Sequence, residues 1–178
     1  QHEAWYWLAI IIIRTGATNI ADYLCGRHYL GINRVVLSTG IALLIIALIW
    51  QRQSNHTDGL PRTDAKYWLT MLAAGVFGTA AGDALTKSLG DADDIGGVYA
   101  SGIMVILLAI SLLLGRGHRI QKAYYYWLTI CVARTAGTAI ADMLAENATL
   151  NIGLPICTIA TGIVFVSILT LWNPQKKT

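Results

Sequence analysis

Long apolar stretches separated by short polar segments dominate this chain. A helix that crosses about 30 Å of hydrocarbon needs about 20 mostly apolar residues. The six predicted spans are Ala4–Tyr23, Leu30–Trp50, Tyr67–Thr86, Ile95–Leu114, Tyr125–Leu144 and Ile152–Trp172. A soluble helical bundle would need a polar face on every helix, and the even-numbered spans have none. The pattern therefore predicts an all-α polytopic membrane protein with six transmembrane helices.

The pattern repeats with a period of about 60 residues. Each odd-numbered span begins with Tyr-Trp-Leu, runs through nine residues to a Thr, and reaches an Asp after three more. The aligned residues are Tyr6, Tyr67 and Tyr126; Trp7, Trp68 and Trp127; Thr18, Thr79 and Thr138; Asp22, Asp83 and Asp142. Each copy continues into an even-numbered span, so the repeat units are helix pairs at 4–50, 66–114 and 124–172 of a single membrane domain, 1–178. Since each unit crosses the membrane twice, successive copies are parallel repeats.

Positive charge differs between the two sets of loops. Eight Lys and Arg residues lie in one set and three in the other, and basic residues near spans are retained in the cytoplasm. The six Trp residues lie at span ends on the more basic side, at the depth that interfacial aromatic rings prefer. We therefore expect both termini to be cytoplasmic.

Each odd-numbered span carries an Asp about 22 Å beyond its Trp, in the outer third of the hydrocarbon. The aligned Thr lies four residues earlier, on the same helix face and near mid-membrane. We expect Asp22, Asp83 and Asp142, with Thr18, Thr79 and Thr138, to meet in one oxygen-rich cluster. Oxygen ligands suit hard cations or protons. The alternative is structural: small residues pack the helices, and each Asp accepts hydrogen bonds from a neighbouring helix.

Parallel helix pairs predict a pseudo-threefold arrangement, with the odd-numbered helices inside and the even-numbered ones facing lipid. Two arginines, Arg14 and Arg134, occupy the same repeat position in the first and third copies, where the second has Gly75. Each lies about 12 Å along its helix from its own Asp, too far for an ion pair on one helix. They are predicted to be charge partners of carboxylates on other helices or anion sites; the alternatives are snorkelling and bonds to carbonyls.

Composition and motifs exclude several classes of function. Charged residues make up 13% of the chain, against about 25% in soluble domains, and the net charge of +3 indicates no nucleic-acid partner. The chain contains no nucleophile elbow, HExxH helix or phosphate loop, so we expect neither an enzyme nor a cofactor. The three cysteines form neither a disulfide framework nor a zinc motif, although the identity of any bound metal stays open. The acidic run Asp91–Asp94 is either a solvated loop or a mouth that gathers cations.

The odd-numbered spans share the Tyr-Trp-Leu starts and the small-residue endings Gly78–Asp83, Gly137–Asp142 and, more loosely, Ala17–Asp22. In these features the chain resembles a bacterial membrane-protein family built from a tandem two-span repeat of unknown function. The resemblance covers nearly the whole chain and implies repeated helix pairs, a bacterial inner-membrane location and no established activity. That family is described with four copies, whereas three are present here. A shorter branch, or a further copy outside this sequence, explains the difference; the start at Gln1 in place of Met raises the same question for the amino-terminal side.

Intramembrane carboxylates at equivalent repeat positions favour a transporter or channel for a small solute or ion, either a cation or a proton-coupled species. The expected partners are the lipid bilayer and that solute. A chain this small is also expected to form a homo-oligomer that encloses a pathway. The alternative is a non-transporting scaffold or partner subunit with a structural polar core.

Overall fold

A computed structural model of the protein describes residues 2–26, 30–54, 63–90, 95–115, 123–146 and 152–171. Its helices are α1 (His2–Cys25), α2 (Ile32–Ser54), α3 (Ala65–Leu89), α4 (Ile95–Leu114), α5 (Ala123–Glu146) and α6 (Leu154–Leu171). Each of the six is long and apolar enough to cross a membrane, which confirms the predicted fold class. The acidic run Asp91–Asp94, Trp172 and most of the basic loop residues used to assign orientation lie outside the described residues.

The odd-numbered helices are longer than predicted. Asp64 caps the start of α3, where its side chain accepts a hydrogen bond of 2.9 Å from the backbone nitrogen of Tyr67. The helix ends before Gly90, whose φ of 123° is a conformation that glycine adopts readily. Lys87 and Glu146, predicted to lie in loops, therefore belong to the last turns of α3 and α5. The charges of these two side chains hid the helix ends from a prediction based on hydropathy.

Helix α3 lies at the centre of the bundle and packs against α1, α2, α4 and α5. Glycine and alanine let neighbouring backbones approach closely, and α3 is rich in both along its buried faces. Its buried small residues are Ala74, Gly75, Gly78, Ala80 and Gly82. Helices α1 and α5 flank α3 and pack mainly on it, not on each other. Only α3 is therefore inside the bundle, because α1 and α5 each pack one side on α3 and leave much of their remaining surface exposed. The predicted pseudo-threefold arrangement, with all three odd-numbered helices inside, is wrong for this structure.

Each of the first two even-numbered helices packs most extensively against the odd-numbered helix of the following unit. Helix α2 lies on α3, and α4 lies on α5, where the Ser101 hydroxyl donates a 2.8 Å hydrogen bond to the Ala139 carbonyl. Helix α6 contacts α5 only lightly. The ring of Phe165 on α6 also meets that of Trp7 on α1, with centroids 5.9 Å apart. The outward sides of all three even-numbered helices expose Leu, Ile and Val, which suits a lipid environment.

Candidate functional site

Three layers of aligned residues cross the odd-numbered helices. Tyr126, Arg134 and Asp142 follow one another at eight-residue intervals on α5, so successive layers are about 12 Å apart along the helix. The same spacing separates the aligned residues of α1 and α3. We call the two ends of the bundle the tyrosine end and the carboxylate end, after the aligned Tyr and Asp residues that lie there.

At the tyrosine end, the aligned tyrosines form a hydrogen-bonded chain. The hydroxyl of Tyr67 is 3.0 Å from that of Tyr6 and 2.9 Å from that of Tyr126. Tyr67 is only 2% exposed, and its ring packs on that of Trp127 with centroids 5.6 Å apart. Trp127 itself is buried inside this aromatic layer, whereas Trp5 is exposed as an interfacial ring would be. The repeated Tyr-Trp pair therefore joins all three units, in addition to any role at the membrane surface.

The middle layer contains the two predicted arginines. Arg134 packs against α3, where its Cβ meets Gly78, and its guanidinium reaches back toward Gly75. Its Nε and Nη2 atoms are buried and have no hydrogen-bond partner. Arg14, on α1, is exposed but lies close enough for the two positive charges to repel each other. Among the residues that the structure describes, neither arginine forms an ion pair, so the predicted charge pairing with carboxylates on other helices is not present.

The carboxylate layer brings the three aligned acids into electrostatic range of one another. Asp142 interacts with Asp83, Glu146 and Asp22, and the ammonium group of Lys87 is near both Asp83 and Asp142. Asp22 is exposed, while Asp83 and Asp142 are half-buried. Within the described ranges none of them forms an ion pair. Nor do they form a group of three ligands that could hold a metal ion as placed.

The aligned threonines do not behave as one set. The Thr18 hydroxyl donates a 3.2 Å hydrogen bond to the Arg14 carbonyl of its own helix. Thr79 is 3% exposed, and its buried hydroxyl has no partner. Thr138 packs its Cβ and methyl against α3 at Gly82, next to Asp83. The structure thus brings the carboxylates together without joining all three threonines to them as ligands.

Two members of the carboxylate layer, Lys87 and Glu146, were missed in the sequence because they were assigned to loops. Each follows an aligned Asp by four residues, one helical turn, and this spacing is the signal that would have found them. The tyrosine chain was visible only as a repeated motif. Nothing in the sequence pairs the hydroxyls, since helices α1, α3 and α5 have to be placed side by side first.

Comparison with curated proteins and with solved structures finds no match. The family model of DUF347, a repeat of unknown function, matches residues 125–178, which include most of α5, all of α6 and the third copy of the aligned Tyr, Thr and Asp. The two earlier copies share those residues and their spacing. The protein is therefore a chain of six membrane-length helices that carries the DUF347 repeat of unknown function.

Proposed function

We propose that the protein is a membrane transporter or channel for a small ion or solute, in which the carboxylate layer binds a cation or a proton. The observation that carries this proposal is the meeting of three repeat-equivalent acids, Asp22, Asp83 and Asp142, without ion pairs among the described residues. Acidic side chains within membrane spans are rare and mark ion pathways or proton relays. Equivalent positions in three units argue against a chance placement.

Charge balance supports a cation or proton at this layer. Among the described residues, this layer contains four carboxylates, those of Asp22, Asp83, Asp142 and Glu146, and one ammonium group, that of Lys87, so the formal charges sum to three negative. Like charges at close range in a half-buried layer favour either protonation or a bound cation. The absence of a three-ligand metal group among the described residues favours a proton or a hydrated cation over a directly coordinated metal.

The alternative function, a scaffold, is supported by the close packing along α3. Small residues at Gly75, Gly78 and Gly82 admit α1 and α5 to its surface, as in helix association without transport. A scaffold would nevertheless hold its intramembrane acids in ion pairs or hydrogen bonds. The described carboxylates have no ion pairs, and the hydrogen bond that Asp83 accepts comes from its own backbone and not from a neighbouring helix, which favours transport.

The test is a flux screen of the purified protein in liposomes. Interior pH is followed with a trapped dye; Na⁺ and K⁺ are offered in turn as chloride, acetate, phosphate and sulfate salts, and divalent cations as chlorides. Asp83→Asn, Asp142→Asn and the triple variant that also changes Asp22 should reduce the flux of the active species strongly. The matched control is Asp64→Asn, which removes one carboxylate at the tyrosine end and keeps a good helix cap.

Two outcomes would overturn the proposal. One is the absence of flux for protons and for every cation offered. The other is a flux that the triple variant carries as fast as the wild type. Either result would favour the scaffold.

The same proposal includes a bacterial inner-membrane location, cytoplasmic termini and a homo-oligomer. Cytoplasmic termini place the tyrosine end at the inner surface and the carboxylate end at the outer surface. Labelling of single cysteines introduced at each end, with a reagent that does not cross the membrane, tests this orientation. Chemical cross-linking in native membranes tests the oligomer.

A further inference from the structure

The two intramembrane arginines lie at one depth in the span. Arg14 follows the start of its apolar span, Trp5, by nine residues, and Arg134 follows Tyr125 by nine. Nine residues of helix rise about 13.5 Å, close to the middle of a bilayer about 30 Å thick. At this depth, ionisable side chains are costly and mark functional positions by default.

The guanidinium group of Arg134 is partly shielded from solvent and lacks hydrogen-bond partners for its shielded atoms. Its Nε and Nη2 are buried and unpaired, so this end of the guanidinium is not snorkelling to a surface. Its nearest aligned carboxylate on α5, Asp142, is about 12 Å farther along the helix. The neighbouring charge is Arg14, which repels it. The two positive charges therefore lack a counter-charge among the described residues.

The middle repeat makes room for this arrangement. A β-carbon on Gly75 would lie 3.5 Å from Nη2 of Arg134, 3.8 Å from its Nε, and 2.5 Å from the β-carbon of Ala17 on α1. The guanidinium of Arg134 thus reaches across from α5 to the junction of α1 and α3. One turn farther along α3, Thr79 has a buried hydroxyl with no partner.

We propose that Arg14 and Arg134 form a binding site for a small oxyanion, that is, a carboxylate, phosphate or sulfate group. A guanidinium presents forked N–H donors whose spacing matches two oxygens of such a group, and an anion between two guanidiniums cancels their repulsion. The anion site stands on this geometry alone, whereas its use as the site of the transported species rests on the proposed function.

The location of the two layers defines how they would work together. The arginine layer carries two positive charges about 12 Å along the helices from a carboxylate layer with three unbalanced negative charges. An anion at the first layer and a proton or cation at the second relieve both imbalances. The transported substrate is accordingly an organic or inorganic oxyanion that moves with a proton or cation.

Direct binding tests the site without requiring transport. Sodium acetate, phosphate and sulfate are titrated into the purified full-length protein in detergent, at constant ionic strength with sodium chloride, and heat and thermal midpoint are recorded. We expect saturable binding of at least one oxyanion. Arg134→Gln and Arg14→Gln should each weaken it about tenfold or more, because hydrogen bonds to charged groups are strong. The matched control, Arg34→Gln on the exposed start of α2, should bind as the wild type does.

Two results would overturn the site: no saturable binding of any of the three oxyanions, or unchanged affinity in the Arg14 and Arg134 variants. If Arg134→Gln does not fold, Arg14→Gln decides the question, since Arg14 is exposed and its replacement disturbs no packed side chain. Arg134→Lys keeps the charge but loses the fork, so it should bind more weakly than the wild type. Oxyanion binding that persists in a protein without flux would overturn the proposed function and leave the site standing.

Discussion

Because α3 packs closely on α5, we expect substitution of two glycines at the same repeat position to have opposite effects on stability. A β-carbon on Gly78 would lie 2.5 Å from Cβ of Arg134 and 3.2 Å from the backbone nitrogen of Thr135. Its repeat equivalent, Gly137, faces outward and has nothing within 4 Å of such a β-carbon. Replacing each by Ala therefore adds the same methyl group to two different environments.

The magnitudes follow from the distances. Carbon atoms pack at about 3.5–4.0 Å, so Gly78→Ala requires α3 and α5 to move apart by about 1–1.5 Å. Side-chain rotation cannot relieve the clash, because backbone atoms of α5 lie within 3.3 Å of the added carbon. Overpacking of this kind costs about 1–3 kcal/mol, against a gain of about 0.5–1 kcal/mol from replacing Gly in a helix. Gly137→Ala keeps the gain alone, so the two variants should differ by about 1–3 kcal/mol in free energy of unfolding.

The assay is reversible unfolding in mixed micelles of sodium dodecyl sulfate and dodecylmaltoside, followed by far-ultraviolet circular dichroism. Both variants share the change in composition and nearly the same effect on the unfolded chain, so their difference reports packing. Equal stability of Gly78→Ala and Gly137→Ala would show that α3 and α5 are not in close contact at this position.

Three further substitutions test other contacts by the same unfolding assay. Tyr67→Phe removes both hydrogen bonds of the tyrosine chain. At about 0.6 kcal/mol for each hydrogen bond within a membrane, the free energy of unfolding should fall by about 1.2 kcal/mol. The control is Tyr99→Phe, on an exposed face, which should not change it measurably. Ser101→Ala removes the hydrogen bond between α4 and α5 and should lower the free energy of unfolding by about 0.6 kcal/mol. The exposed control is Ser88→Ala, and equal effects of the two substitutions would argue against the hydrogen bond between α4 and α5. Gly75→Ala should lower the free energy of unfolding by forcing α1 away from α3, and an unfolding free energy equal to that of the wild type would contradict their contact.

Much of the carboxylate layer followed from sequence spacing. Repeat-equivalent acids on helices of one orientation lie at one depth, so the approach of Asp22, Asp83 and Asp142 could be expected before any coordinates. The sequence did not indicate which other charged residues lie in the same layer. Lys87 and Glu146 join the layer because α3 and α5 continue two or three residues past their predicted spans, and a hydropathy pattern does not detect a helix that continues through charged residues.

The sequence by itself determined that the chain forms six apolar helices, and it gave the position of each aligned side chain along its own helix. These properties depend on local composition and on 1.5 Å of rise per residue, which are the same wherever a helix lies. Only the tertiary structure decided which copy became central. Once α3 has neighbours on several sides, Gly78 is a tight contact while Gly137 is exposed, and two guanidinium nitrogens of Arg134 are buried while Arg14 is exposed. Residues at equivalent repeat positions differ in burial and contacts because both depend on which helices lie nearby. A repeat pattern in the sequence does not specify those neighbours.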